Sequence, residues 1–237
     1  QDGFFTQRDR HVPGLFRGVN NVGILNAGHL FNTNALNVES LSHAYIQGRK
    51  LAAEYTAISR RYMDGCHAAQ LVGTAALLGV RESRRIVGEH ELAFGHFQGR
   101  HHFPDQIGVY NKAVDIHVYN TSDEQWRRYC EEYRHRDRLD VGESYGLPYG
   151  ILVPRGWQNL WVAGRCVSAD IKMHGAIRDQ PACFLMGQAA GTAAVQSRDT
   201  GQPAADLNVA TLVETLRAHG AYLPQPTLSA SMTRISS

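Results

Sequence analysis

The chain has no apolar run near the ~20 residues needed to cross a bilayer, and no basic-then-apolar leader pattern. Cysteine is scarce. Cys66, Cys130, Cys166 and Cys183 stand far apart with no C-x-x-C pair, which excludes a zinc ribbon and a thioredoxin motif. Their low density fits reduced thiols and predicts a cytoplasmic protein. Charge of one sign is also lacking. The net charge of +2 offers no basic surplus for nucleic acid or an anionic membrane. There is no internal repeat and no low-complexity segment. With 237 residues, 43% hydrophobic, the chain is long enough for one large domain or two small ones. It begins with Gln1 rather than Met, which is read as a processed chain, a fragment or one subunit of something larger.

Several segments carry local structure signals. VGILNA (22–27) reads as a short strand. Asn37 is placed to cap a long helix from Val38 to about Met63, with Val38, Leu41, Tyr45, Ala52, Tyr55, Ile58 and Tyr62 on one face. AQLVGTAALLGV (69–80) reads as strand and bend, residues 95–106 as a loop, and 107–119 as a strand. Residues 123–140 read as a charged surface helix or excursion. YGILVP and NLWVAG are expected to be short strands. Asp179 is expected to cap a helix to about Gln196, with Pro181 tolerated in its first turn. Asp206 is expected to cap a last helix, 207–218, burying Leu207, Leu212, Val213 and Leu216, with Gly220 stopping it. The fold class is a mixed α/β or α+β domain.

The helix after Asp179 is built largely from Gly187, Ala189, Ala190, Gly191, Ala193 and Ala194. Small side chains let a helix lie close to a sheet or to a ligand. A helix N-terminus also offers unpaired N–H groups and partial positive charge.

LNAGHL, GVRESRRIVGE, PRGWQNLWVAGRCVSA and GAIRDQPACFLMGQAAGTAA occur in this order between Gly23 and Leu223. In these segments the sequence resembles the FAD-dependent oxidoreductases with a glutathione-reductase-like fold. The resemblance implies FAD as cofactor, with Gly164, Arg165, Cys166, Arg178, Gln180, Ala182 and Gln188 near it. Residues 1–21, polar and Gly/Arg-rich with no period, read as an extended arm or partner-contacting segment, and 22–150 as a helical, substrate-side region. Residues 151–223 would be the C-terminal part of the FAD-binding domain, and 224–237 a tail. The family's N-terminal G-x-G-x-x-G unit, which holds the pyrophosphate on a helix N-terminus, is missing from this sequence. The expectation is a second chain bearing that unit, because an isolated half-site would expose a large apolar face. Ala176 replaces the family's usual Ser, and Asp179-Gln180 stand where apolar residues are common.

Candidate catalytic groups follow. RESRR supplies Arg81, Glu82 and Arg84, read either as surface ion pairs or as a pocket for an anionic or polyhydroxy substrate. Glu82 could instead lock the arginines in a structural network. His174 and His29, each beside a glycine, are candidate bases for an O–H or N–H proton during hydride transfer to flavin; Tyr149 is a weaker one. GESYG (142–146) matches the G-x-S-x-G elbow, with Asp170 and His219 as possible partners of Ser144. The charged run before it and Pro148 after it do not supply the required strand and helix. His96, His101 and His102 lack carboxylate or thiol co-ligands at metal spacing. The sequence therefore predicts an FAD-dependent oxidation of a small polar organic substrate, or a non-catalytic assembly subunit that keeps the fold.

Overall fold

The structure is a computed structural model that describes residues 3–9, 15–134 and 138–224. The C-terminal tail, residue 224 apart, and part of the N-terminal arm lie outside the described residues. In chain order the strands are β1 (Leu15–Arg17), β2 (Gly23–Leu25), β3 (Gln106–Tyr110) and β4 (Tyr145–Pro148). The helices are α1 (Val38–Tyr62), α2 (Phe94–Gln98), α3 (Asp123–Tyr129), α4 (Ile171–Ile177), α5 (Gln180–Thr200) and α6 (Val209–Ala218). This mixture fits the α/β class. The chain divides into two compact units: Gln1–Val80 with His117–Glu132, and Arg81–Ile116 with Tyr133–Ser237. Among the described residues no helix is long and apolar enough to cross a membrane, and all four cysteines are unpaired.

In the first unit β1 and β2 form an antiparallel hairpin pairing Phe16 with Ile24. Asn20 and Asn21 take the left-handed backbone its turn requires. The Asn37 side chain accepts from the Ser40 N–H and starts α1, as the sequence predicts. The buried face of α1 is narrower than the apolar stripe suggests: Ala44, Leu51 and Tyr55 are buried, whereas Val38 and Tyr62 are exposed. Phe5 packs edge-on to Tyr55, and Gly28 lies against Leu51 and Tyr55, so only the helix middle is covered. Residues 69–80 form no strand, and Val72 and Leu77 are exposed.

In the second unit β3 and β4 pair antiparallel, with an irregularity between Gln106 and Gly108. The strand expected over 107–119 ends at Tyr110. Helix α5 packs against β3, where Gly108 leaves room for Leu185. Its buried residues, Ala182, Met186, Ala189 and Ala193, recur every three or four positions. It runs to Thr200, past the expected end, and stops at Gly201 in the left-handed conformation. Asn208, not Asp206, caps α6; Asp206 sits in a preceding 3₁₀ turn. The expected inward residues Leu207, Leu212, Val213 and Leu216 are all buried.

YGILVP and NLWVAG are not strands. Tyr149–Leu152 forms a 3₁₀ turn whose Ile151 and Leu152 are fully buried. Residues 159–163 are irregular; the Val162 N–H donates to the Leu152 carbonyl. Apolar composition signalled burial correctly, but a strand also needs a continuous ladder, and among the described residues YGILVP keeps only the single bridge from Pro154 to Gly88.

Residues 86–92 thread between two neighbours. Ile86 and Leu92 donate to the Cys166 and Ser168 carbonyls, while Glu89 and His90 donate to Val153 and Gly150. The crossing has no room for side chains at two positions. A Cβ at Gly88 would lie 2.7 Å from Ser168 Cβ and 2.9 Å from the Gly150 oxygen, and one at Gly150 would meet His90 Cβ at 2.9 Å. Gly88→Ala should therefore lower unfolding stability by about 1–3 kcal/mol, as overpacking does. Gly187→Ala, in the open helical face of α5, should raise it by about 0.5–1 kcal/mol. Denaturant titration of the two variants would check both signs.

Candidate functional site

The candidate site in the second unit grows from the N-terminus of α4. Asp170 caps that helix, accepting from the Met173 N–H at 2.8 Å, and its second oxygen accepts from the Phe94 N–H. One turn on, His174 lies within the helix, and its side chain is 0% exposed. Its Nε2 lies 3.0 Å from the Arg165 carbonyl. A carbonyl only accepts, so Nε2 carries the hydrogen and Nδ1 the lone pair. Nδ1 is buried without a hydrogen-bond partner and faces Glu82 Oε2 at 3.7 Å.

Around this pair sit two arginines and a second carboxylate. Arg178 donates to the Asp115 carbonyl at 2.5 Å and lies 3.8 Å from its carboxylate, which Arg81 approaches to 3.7 Å. Gly175 makes this possible, since a Cβ there would strike Ile116 Cγ1 at 2.7 Å. Burial pulls Arg178 below the usual guanidinium value, and Arg81 adds to the effect. Arg81, Glu82, His174, Arg178 and the Arg165 backbone thus come together. Arg84 is exposed, and the contacts joining this cluster do not include it. Asp115 was missed: its segment reads as a strand, and no motif marks it.

The expected cofactor residues gather at the N-terminal end of α5. Gly164, in left-handed backbone, opens a short turn with Arg165 and Cys166, both exposed. A Cβ at Gly164 would meet only Cys183 Sγ, at 3.8 Å. Gln180 is exposed in the first turn of α5. The Asp179 side chain makes no cap hydrogen bond and pairs with Lys112 Nζ instead. Ala182 is fully buried, so only its backbone could face a ligand, and the Tyr110 hydroxyl hydrogen-bonds that backbone. Gln188 is exposed two turns further along, about 12 Å away by helical rise.

Of the remaining candidates, His29 belongs to the first unit. Tyr149 is buried, donates to the Ala204 carbonyl and receives the Trp161 N–H; burial pushes its phenol up to about 12. Ser144 stands before β4, so the strand follows the serine instead of preceding it. Its Oγ is 3.4 Å from His102 Nε2, while Asp170 is engaged at the α4 cap and His219 ends α6. His90, His96 and His101 pack around Phe103. Among the described residues no group of three or more His, Cys, Asp or Glu could hold a metal.

Burial holds the His174 imidazole below its ordinary value of 6.5; the bond to the Arg165 carbonyl opposes this, Arg85 and Arg178 reinforce it, and Glu82 works against it. His96 is lowered too, by burial and by its neighbours His90 and His101. An unfolded chain then takes up these protons first. Stability is complete above about pH 6.5 and falls as the pH drops from there towards the depressed folded values. Thermal melts between pH 7.5 and 5 should show this loss, and His174→Gln should flatten the slope.

A family model described as FAD dependent oxidoreductase covers residues 3–216. No curated protein and no solved structure matches. Since the model spans almost the whole chain, the protein belongs to the FAD dependent oxidoreductase family and is an oxidoreductase with FAD as its cofactor.

Proposed function

We propose that the second unit takes the flavin end of FAD between the Gly164 turn and the N-terminal turn of α5, and oxidises a small polar organic substrate at the Arg81–Glu82 cluster. The residues fit that end of the cofactor. Gly164 leaves its backbone open, and the positive end of the α5 dipole suits a group that gains negative charge on reduction. They do not fit the pyrophosphate end, because the sequence has no G-x-G-x-x-G. Bound FAD supplies a hydride acceptor.

The observation that carries this reading is the buried lone pair of His174 facing Glu82. His174 cannot touch a substrate, because it is sealed from solvent. Glu82 can, with a side chain 45% exposed. When Glu82 takes an O–H or N–H proton from the substrate, its new hydroxyl can turn to His174 Nδ1 once the 3.7 Å gap closes by less than an ångström. A buried acceptor left without a partner costs about 1–3 kcal/mol, so this step satisfies His174 as it moves the proton. Arg81 and Arg178 would hold an anionic or polyhydroxy substrate group, with Asp115 fixing both guanidinium groups.

The outward face of α5 supports a second chain bearing the dinucleotide-binding unit. Phe184 is 69% exposed and Val195 49%, with open space at Gly187 and Gly191. Native mass spectrometry should find this chain with a second polypeptide and a mass increment matching FAD. A lone folded chain without flavin would sink the two-chain reading and favour a non-catalytic subunit or a piece of a larger protein. In the flavin-loaded complex, Glu82→Gln should slow substrate-driven flavin bleaching about 10²–10⁴-fold with FAD content unchanged. Bleaching at the wild-type rate would remove Glu82 from the chemistry.

A further inference from the structure

His102, Gln106 and Ser144 of the second unit form a line that the flavin chemistry does not use. Ser144 Oγ lies 3.4 Å from His102 Nε2, and His102 Nδ1 lies 3.1 Å from Gln106 Oε1. The same Gln106 oxygen accepts from the Phe103 N–H at 3.3 Å. Gln106 is buried, whereas Ser144 and His102 are partly exposed. Both ends are clamped. Glu143 accepts from Arg100 Nε at 2.7 Å and from the Asp140 N–H at 2.8 Å, which fixes the turn just before Ser144. Two residues past the serine, the Gly146 N–H donates to the His101 carbonyl at 2.8 Å and ties β4 to the histidine's loop. Only glycine fits at 146, because a Cβ there would overlap Gln106 Oε1.

The Phe103 N–H sets the hydrogens along the line. A flipped Gln106 amide would turn its NH₂ group donor to donor against that N–H. The carbonyl oxygen therefore faces Phe103 and His102, although this leaves Gln106 Nε2 buried without a partner. An amide oxygen only accepts, so His102 Nδ1 is the donor. In the neutral ring Nε2 then holds a lone pair aimed at the Ser144 hydroxyl. These are the roles of orienting group, base and nucleophile, which geometry defines and chain order does not. They do not require the strand-to-helix elbow that residues 142–146 lack.

We propose that Ser144 is a nucleophile that accepts an acyl group from an activated ester, with His102 as its base and Gln106 as a positioning residue. In that step a bond forms between Ser144 Oγ and the acyl carbon, and the bond from that carbon to the ester oxygen breaks. The serine proton passes to His102 Nε2 and from there to the departing oxygen. An alcohol leaves, and the ring returns to its starting tautomer. Gln106 has no charge to stabilise the imidazolium formed on the way, and the neighbouring carboxylate, Glu143, is engaged by Arg100. The chemistry is thus confined to esters with good leaving groups. None of these residues belongs to the cluster around Glu82, so acylation of Ser144 and reduction of flavin are independent of one another.

A fluorophosphonate is the probe, since it exchanges its P–F bond for a bond to an activated serine oxygen and releases HF. The full chain, folded and unfolded in urea, would be treated side by side, with adducts counted by intact mass and located by peptide mapping. The folded chain should take one adduct, at Ser144, about 10²–10⁴-fold faster than the unfolded chain. His102→Gln should bring the rate down to that of the unfolded chain. Gln106→Glu keeps the acceptor for His102 Nδ1 and adds charge, so it should label at least as fast as wild type; slower labelling by a folded Gln106→Glu chain would remove Gln106 from its role. A folded wild-type chain that labels no faster than the unfolded one, or carries its adduct elsewhere, would overturn the proposal without recourse to any variant.

Discussion

Much of the second unit depends on one steric constraint, the close crossing of residues 86–92 with residues 150–154 and 166–170. The segment's N–H groups are shared between the two neighbours, so it lies as a central strand, bridged singly from Gly88 to Pro154 and from Leu92 to Ala169. The separation allows no side chain at Gly88 or Gly150. Everything at the candidate site is hung from this crossing. Its N-terminal end delivers Arg81 and Glu82. At its C-terminal end the Leu92 carbonyl accepts from the Asp170 N–H, and Asp170 sets the start of α4 and hence the inward direction of His174. A one-residue slip of the segment would put Val87 or Glu89 where only glycine fits.

Electrostatics at His174 follows from that placement. Desolvation and the flanking arginines disfavour its protonation, while the Arg165 carbonyl and Glu82 favour it, and burial prevails. The outcome is a neutral imidazole with one nitrogen satisfied and the other not. Native interiors rarely keep an unpartnered polar atom, and those that do cluster where local rules are broken for function. Exposure separates the two: Glu82 reaches solvent and His174 does not, so in the proposed reaction it is Glu82 that meets the substrate.

The two long helices were legible in the sequence because their signals are local. Asn37 before an apolar period, and Asp179-Gln180-Pro181 before a small-residue run, are read within a single turn. The segments YGILVP and NLWVAG were not legible as what they are, because apolar character reports burial and says nothing of pairing. The site divides along the same line. Arg81, Glu82, Arg178 and His174 stand in recognisable segments, and the fold brings them together. Asp115 enters only through the space above Gly175, a contact with no sequence signature.

Helix α5 has small residues on two sides for two different reasons. On the inner side Ala182, Ala189 and Ala193 bring the helix close against the core, with Met186 filling the gap between them. On the outer side a Cβ added at Gly187 or Gly191 would meet nothing within 4 Å, and Phe184 and Val195 are exposed on either side of the two glycines. A solvent-facing helix surface ordinarily carries charge, and a helix apolar all round is ordinarily buried. Two interior glycines also cost about 1 kcal/mol each relative to alanine, and among the described residues no close contact offsets this. Close approach of another backbone or of a flat ligand is the circumstance in which that cost is offset. The proposed second chain would supply that approach on the outer face of α5.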